Sequence, residues 1–267
     1  AALIDQWISW KMLSLHLDRL ADIATTAPEE ESSAPTLPAV QWRGALRAWG
    51  LRFRYSPTEP LLLDDMNIEV GAGECVVIMG PSGCGKSTLM RILQGLEKPT
   101  EGVVEFDGAD IRQLGLANYR KMVASVTQED RLLTGSIAEN ITLFSELPDH
   151  EWLVECARLC GIHDAILRMP MNYHSLISDM GDALSAGERQ RLMLARAIYR
   201  RPKILFLDEA TSNLDMNLDA QINQMLAGLG ITRVVVTHRS TPLRYADQSF
   251  QLRMGKLESF AADRMTV

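Results

Sequence analysis

With 267 residues, 46% of them hydrophobic, the chain has material for one large domain or two small ones and can bury a substantial core. Its net charge of −7 argues against a nucleic-acid surface as the main partner. The four cysteines (Cys75, Cys84, Cys156, Cys160) make no disulfide framework, and no apolar stretch reaches the ~20 residues that cross a bilayer.

The chain begins Ala-Ala rather than Met and shows no signal peptide, so it is expected to be a piece of a longer protein or a processed one. Residues 1–27 carry apolar positions at helical spacing: Leu3, Ile4, Trp7, Ile8, Leu13, Leu17 and Leu20. Residues 28–41 are acidic and proline-rich at first (Pro-Glu-Glu-Glu-Ser-Ser-Ala-Pro-Thr-Leu-Pro) and read as a linker. The domain proper covers 42–267. Trp49, Leu51, Phe53 and Tyr55 alternate with polar or small residues, which predicts a strand with these four on its buried face. Met66, Ile68 and Val70 predict a second alternating strand. Continuous apolar runs at 75–79, 204–207 and 234–236 predict strands buried on both faces, as in a parallel sheet covered by helices. Helices are expected at about 86–95, 186–200 and 216–228. The stretch 129–183 lacks buried-strand runs and reads as mostly helical, an inserted subdomain. Cys156 and Cys160 sit one helical turn apart, and two apolar positions on one helix face account for them better than half a metal site.

The most informative segment is Gly80-Pro81-Ser82-Gly83-Cys84-Gly85-Lys86-Ser87-Thr88, which follows the apolar run Cys75–Met79. It fits G-x-x-x-x-G-K-[ST] between a strand and a helix, the context that a phosphate-binding loop requires. Its glycines let backbone N–H groups turn inward, Lys86 can reach the outer phosphates, and the Ser87 hydroxyl can ligate Mg²⁺. The helix that starts here adds its positive end. A nucleoside triphosphate is the expected ligand; the loop alone does not separate a kinase, a GTPase, a helicase and a transport ATPase. Cys84 within it suits a reducing compartment.

Residues 204–209 (Ile-Leu-Phe-Leu-Asp-Glu) form an apolar strand that ends in two acids, at the strand end where open α/β sheets bind ligands. Asp208 is placed to hold Mg²⁺ directly or through water, and Glu209 to polarise an attacking water; the plainer alternative is a strand ending in solvated acids. Leu184-Ser185-Ala186-Gly187-Glu188 precedes a helix. Ser185 and Glu188 have capping-box spacing, an ordinary helix start, yet a serine, a glycine amide and a helix N-terminus also bind an anion.

Leu184–Glu188 resembles the signature motif of ABC-type ATPases and lies, as in that family, between the phosphate loop and Asp208-Glu209. The other family motifs follow in order. Tyr55 matches the aromatic that stacks on the base, Gln128 the glutamine at the junction with the helical subdomain, Ser212-Asn213-Leu214-Asp215 the loop that meets the partner subunit, and His238 the switch histidine near the γ-phosphate. The match covers about residues 42–260. Singly, Tyr55 also fits an edge-strand aromatic, Gln128 a loop residue and His238 a strand-end histidine. Ala186 and Glu188 depart from the family's usual Gly and Gln, and Glu188 would disfavour a triphosphate unless it turned away to cap its helix.

The resemblance implies an α/β P-loop NTPase (RecA-like) with a mostly parallel sheet, an N-terminal antiparallel β subdomain and an inserted helical subdomain. The core would cover 42–128 and 191–267, the insertion about 129–190. It implies ATP as ligand, with GTP an expected substitute because stacking on Tyr55 tolerates any base. Gly80–Thr88 of one copy and Ser185, Gly187 and Asp215 of another would hold the nucleotide in a head-to-tail homodimer. Ser87, Gln128 and Asp208 would surround Mg²⁺, Glu209 would activate water, and His238 would contact the γ-phosphate. Leu17–Ile23 resembles the segment after the last membrane helix of bacteriocin exporters of the colicin V type, and Thr134–Ile141 is likewise exporter-like. Residues 1–27 would then be the cytoplasmic end of that helix. The implied partners are the membrane and peptidase domains of the same full-length chain, an exported peptide handled by them and accessory secretion proteins, with no nucleic acid. The place would be the cytoplasmic face of the bacterial inner membrane, the isolated fragment being soluble. The competing classes are a soluble ABC-type ATPase serving nucleic-acid repair or translation, and a nucleotide switch that hardly hydrolyses.

Overall fold

The computed structural model of the chain describes residues 2–25, 41–177, 184–209, 216–238 and 241–259. The chain divides into two units, residues 1–33 and 34–267. The first contains helix α1 (Ala2–Thr25), whose apolar side chains Ile4, Trp7, Trp10, Leu13, Leu17 and Leu20 are all exposed. Among the described residues no helix is long and apolar enough to cross a membrane.

The second unit runs β1 (Leu46–Phe53), β2 (Leu63–Val70), β3 (Cys75–Met79), α2 (Lys86–Leu93), β4 (Glu101–Phe106), β5 (Ala109–Asp110), α3 (Leu116–Met122) and β6 (Val123–Val126). It continues through β7 (Gly135–Ser136), α4 (Ile137–Thr142), α5 (His150–Leu159), α6 (His163–Leu167) and β8 (Leu176–Ile177). It ends with α7 (Ala186–Tyr199), β9 (Ile204–Asp208), α8 (Met216–Gly228), β10 (Thr232–Val236), β11 (Gln248–Arg253) and β12 (Lys256–Ser259). An antiparallel sheet has the order β2-β1-β4-β5, and a six-stranded sheet the order β12-β11-β3-β10-β9-β6. In the latter β11, β3, β10, β9 and β6 are parallel, and only the edge strand β12 runs antiparallel. This is the expected α/β architecture.

The buried runs of the parallel sheet serve two cores at once, because successive side chains leave opposite faces. Val76 and Ile78 of β3, Ile204 and Phe206 of β9, and Val234 and Val236 of β10 face the antiparallel sheet, α2 and Tyr119 of α3. Cys75, Val77, Met79, Leu205, Leu207 and Val235 face α5, α7 and α8. Cys156 and Cys160 are fully buried in this second core, and burial pushes the Cys156 thiol up to about 12 and Cys160 upward as well. They are core residues, and among the described residues no group of three or more acidic, histidine or cysteine side chains is placed to hold a metal. A buried threonine joins the layers: Thr232 Oγ1 donates to Gly44 O at 2.7 Å and accepts from Gly73 N–H at 2.8 Å.

The insertion between β6 and β9 is mostly helical, with one short strand pair, β7 and β8, that the sequence pattern does not announce. Arg196 of α7 fastens its first turn: its Nε donates to Asn140 O at 3.0 Å, Nη2 to Asn140 Oδ1 at 2.7 Å and Nη1 to Arg131 O at 3.0 Å.

The first strand corrects one expectation. Leu46, Ala48, Leu51 and Phe53 point inward, whereas Trp49 and Tyr55 are exposed. The reason is a bulge. Gly50 has φ +59°, and pairing with β2 shifts register between Ala48 and Leu51, so the alternation changes phase midway. Gly102 faces this bulge at φ +91°, and a Cβ there would lie 2.6 Å from the carbonyl oxygens of Trp49 and Gly50. Gly102→Ala is therefore expected to destabilise the fold by about 1–3 kcal/mol, the range for enforced backbone strain; a urea midpoint equal to wild type would contradict the packing described for this bulge.

Candidate functional site

Parallel pairing aligns the strand ends. Ile78 of β3 is level with Val236 of β10, Val236 with Asp208 of β9, and Leu207 with Val126 of β6. The residues that follow therefore emerge along one edge: Gly80 after β3, His238 after β10, Glu209 after β9 and Gln128 after β6. This is the carboxyl end of the sheet, where an open α/β fold offers its crevice.

The loop Gly80–Gly85 is tight. A Cβ on Gly80 would meet Leu252 O at 2.6 Å and Cys84 Sγ at 2.9 Å. Gly85 starts α2 at φ +104°, in the left-handed region that favours glycine. Among the described residues, the amides of Gly83, Gly85, Lys86 and Ser87 donate to no protein acceptor, which is the donor set an anion needs. Lys86 is buried, and its Nζ donates to Gly80 O at 2.9 Å and Pro81 O at 2.8 Å, so its charge is held inside the loop. Pro81, Ser82 and Gly83 are exposed on the loop's outer arc.

The Ser87 hydroxyl donates to Asp208 Oδ2 at 3.1 Å. Burial pushes the Asp208 carboxyl above its ordinary value, the Glu209 charge adds to this, and the Ser87 hydrogen bond and Lys86 oppose it. A hydroxyl and a carboxylate at this separation are hard oxygen donors of the kind Mg²⁺ prefers. Glu209 Oε1 lies 3.3 Å from His238 Nε2. Its backbone is unusual, with φ +52° and its N–H donated to Val236 O at 3.0 Å. Tyr55 lies over the start of α2: its hydroxyl pairs with Thr88 Oγ1 at 2.7 Å, and its ring meets Phe53 edge-on at 4.9 Å, leaving one face to solvent.

The structure thus brings Lys86, Ser87, Asp208, Glu209 and His238 together, with Tyr55 and Thr88 at one end of the loop. Gln128 is exposed in the turn after β6, a turn closed by Thr127 N–H to Asp130 Oδ2 at 2.9 Å. Ser185 caps α7 in a complete capping box with Glu188, and Gly187 follows in the first turn. Asp215, with Ser212–Leu214, lies outside the described residues. Two contributors escape sequence reasoning. Gln190 of α7 donates through Nε2 to Glu209 O at 3.4 Å, and Arg196 anchors the segment that follows Gln128. The only sequence signal for Arg196 is an arginine set in the apolar run of α7.

Residues 63–212 match the family model described as ABC transporter. The chain belongs to the ABC transporter family. It is 45% identical over 248 residues to two Escherichia coli proteins, the probable microcin-H47 secretion/processing ATP-binding protein MchF and the colicin V secretion/processing ATP-binding protein CvaB. Each alignment covers 93% of this chain and 36% of the relative, so this ABC transporter chain spans about a third of the length of those proteins. Its fold matches a bacterial Atm1-family ABC exporter solved with ATP bound, with a TM-score of 0.82 and 28% identity, over 96% of this chain and 46% of that one.

The cysteines offer a direct check on this geometry. Cys75, Cys156 and Cys160 are buried, with the Cys75 thiol raised to about 11, whereas Cys84 sits half-exposed in the loop. A thiol reagent at pH 8 is expected to modify one cysteine of the native chain, Cys84, and four after denaturation. Two or more fast native equivalents would contradict the packing of the helical core.

Proposed function

We propose that this chain is the ATP-hydrolysing part of an exporter that moves a bacteriocin-like peptide across the bacterial inner membrane. The reading places it at the cytoplasmic face, joined through residues 1–27 and the 28–41 linker to membrane and peptidase domains of a longer chain. The secretion/processing relatives support the cargo class. The observation that carries the catalytic reading is the meeting of Lys86, Ser87, Asp208, Glu209 and His238 on one sheet edge.

In this reading Tyr55 stacks on the base, and GTP can replace ATP there. The amides of Gly80–Thr88 and the Lys86 ammonium hold the phosphate chain. Ser87, Asp208 and Gln128 hold Mg²⁺, which supplies charge neutralisation to the phosphate oxygens when bound. Glu209 Oε1 takes the proton of the attacking water, and His238, beside it, donates to a γ-phosphate oxygen. Ser185, Gly187 and Asp215 come from a second copy, arranged head to tail. The insertion transmits closure to the membrane domain through Gln128 and residues 131–141, the segment that Arg196 ties to α7.

Glu209→Gln is expected to slow hydrolysis by about 10²–10⁴-fold, the range for a lost general base, with nucleotide binding retained. Near wild-type turnover would remove Glu209 from that role. Lys86→Ala is expected to weaken nucleotide binding itself, read by titration with a fluorescent ATP analogue; unchanged affinity would contradict its placement. Specific activity should rise with protein concentration where the two-copy site assembles. A flat profile, with the chain a monomer by sedimentation in nucleotide, would contradict the shared site.

A further inference from the structure

The serine that the proposed sandwich offers to the partner's phosphate is already engaged by a charge on its own helix. Ser185 Oγ donates to Glu188 Oε2 at 2.7 Å, and Ser185 N–H donates to the same oxygen at 2.9 Å. The Glu188 N–H returns a bond to Ser185 Oγ at 3.3 Å. A hydroxyl has one proton and two lone pairs, and a phosphate oxygen only accepts. Ser185 can therefore greet a phosphate only by withdrawing its proton from Glu188, which then confronts an anion with one donor fewer. The same box recurs at α4, where Ser136 Oγ donates to Glu139 Oε2 at 2.8 Å, but there the serine is buried. Ser185 is exposed, so at α7 the occupied hydroxyl faces outward.

Glu188 is charged at neutral pH. The Ser185 side-chain and backbone hydrogen bonds hold its carboxyl below the ordinary value, and Arg191 and Arg168 add to this against partial burial. The side chain caps the helix, as its spacing predicts, and does so by taking the very proton a phosphate would need. A glutamine in its place would accept the same bonds through a neutral carbonyl and would give them up without facing an anion as a charge.

We propose that Glu188 is an internal anion that competes with the partner copy's triphosphate for Ser185 and so restrains closure of the nucleotide-bound dimer. The inference rests on the shared-site reading above. It assigns Glu188 a positioning role: its carboxylate acts through Ser185.

The test is the dimer dissociation constant, measured by sedimentation in saturating ATP and Mg²⁺ with the whole chain carrying Glu209→Gln to slow turnover. Adding Glu188→Gln is expected to tighten the dimer by about 25- to 100-fold, a like-charge repulsion of about five- to ten-fold relieved at each of the two equivalent, partly solvated sites. A box that serves only the helix predicts the opposite sign: a weaker cap, a lower Tm and a dimer no tighter than before. Glu188→Ala, which removes the cap altogether, reports that structural cost separately through Tm. If the Glu209→Gln chain dimerises but Glu188→Gln leaves the constant unchanged or raises it, competition is overturned and the shared site stands. If no variant dimerises at any ATP concentration, the shared-site reading fails and takes this inference with it.

Discussion

The register of the parallel sheet is the constraint from which both core and site follow. Ile78, Val236 and Asp208 stand level across β3, β10 and β9. Their alternation sends Val234 and Val236 to one core and Val235 to the other. Sliding β10 by one residue would exchange those faces and would also carry His238 away from Glu209. The packing that selects the register therefore fixes the chemistry at its end. Asp208 ends β9, and Glu209, His238 and Gln128 are each the first or second residue beyond a strand whose phase is set by burial, so these side chains do not have to find their own place.

Seen as a set, the groups that would meet a nucleotide are satisfied internally. Two carbonyls of the loop hold the Lys86 ammonium, Asp208 holds the Ser87 hydroxyl, Tyr55 holds that of Thr88, and Glu188 holds Ser185. Binding at such a site is an exchange of hydrogen bonds, and its net strength is the small difference between those broken and those made. The amides of Gly83, Gly85, Lys86 and Ser87 are the exception: they have no protein acceptor to leave and exchange only water for the phosphate. The division is physically sensible, since backbone donors at a helix start cannot rotate to find another partner, whereas side chains can.

Much of this was legible in the chain. The buried runs at 75–79, 204–207 and 234–236 gave three parallel strands because β-rich apolar runs covered on both faces have few other solutions. The helices expected at 186–200 and 216–228 agree with α7 and α8 to within a residue. The glycine loop and the two acids declared themselves by spacing. Less legible were β4, partly exposed and interrupted by Gly102, β5, only two residues long, and β6, four residues with Ser125 among them. Trp49 was misplaced because alternation is a local rule, and the Gly50 bulge that breaks it is enforced by pairing with β2 and β4, which no local pattern reports. Arg196 and Gln190 were invisible for a related reason. Three of their hydrogen bonds go to backbone carbonyls 19 to 65 residues away, and carbonyls leave no trace in composition.

Glu209 has a left-handed backbone at φ +52°, held by the bond from its N–H to Val236 O. For a residue with a Cβ that conformation costs about 1–2 kcal/mol, and glycine adopts it freely. Descendants of this gene no longer selected for turnover would meet a folding advantage in replacing the carboxylate with glycine. In the proposed role of Glu209 as base, stability and chemistry pull in opposite directions at this backbone position, and glycine there would mark a copy that had kept the fold and given up the work.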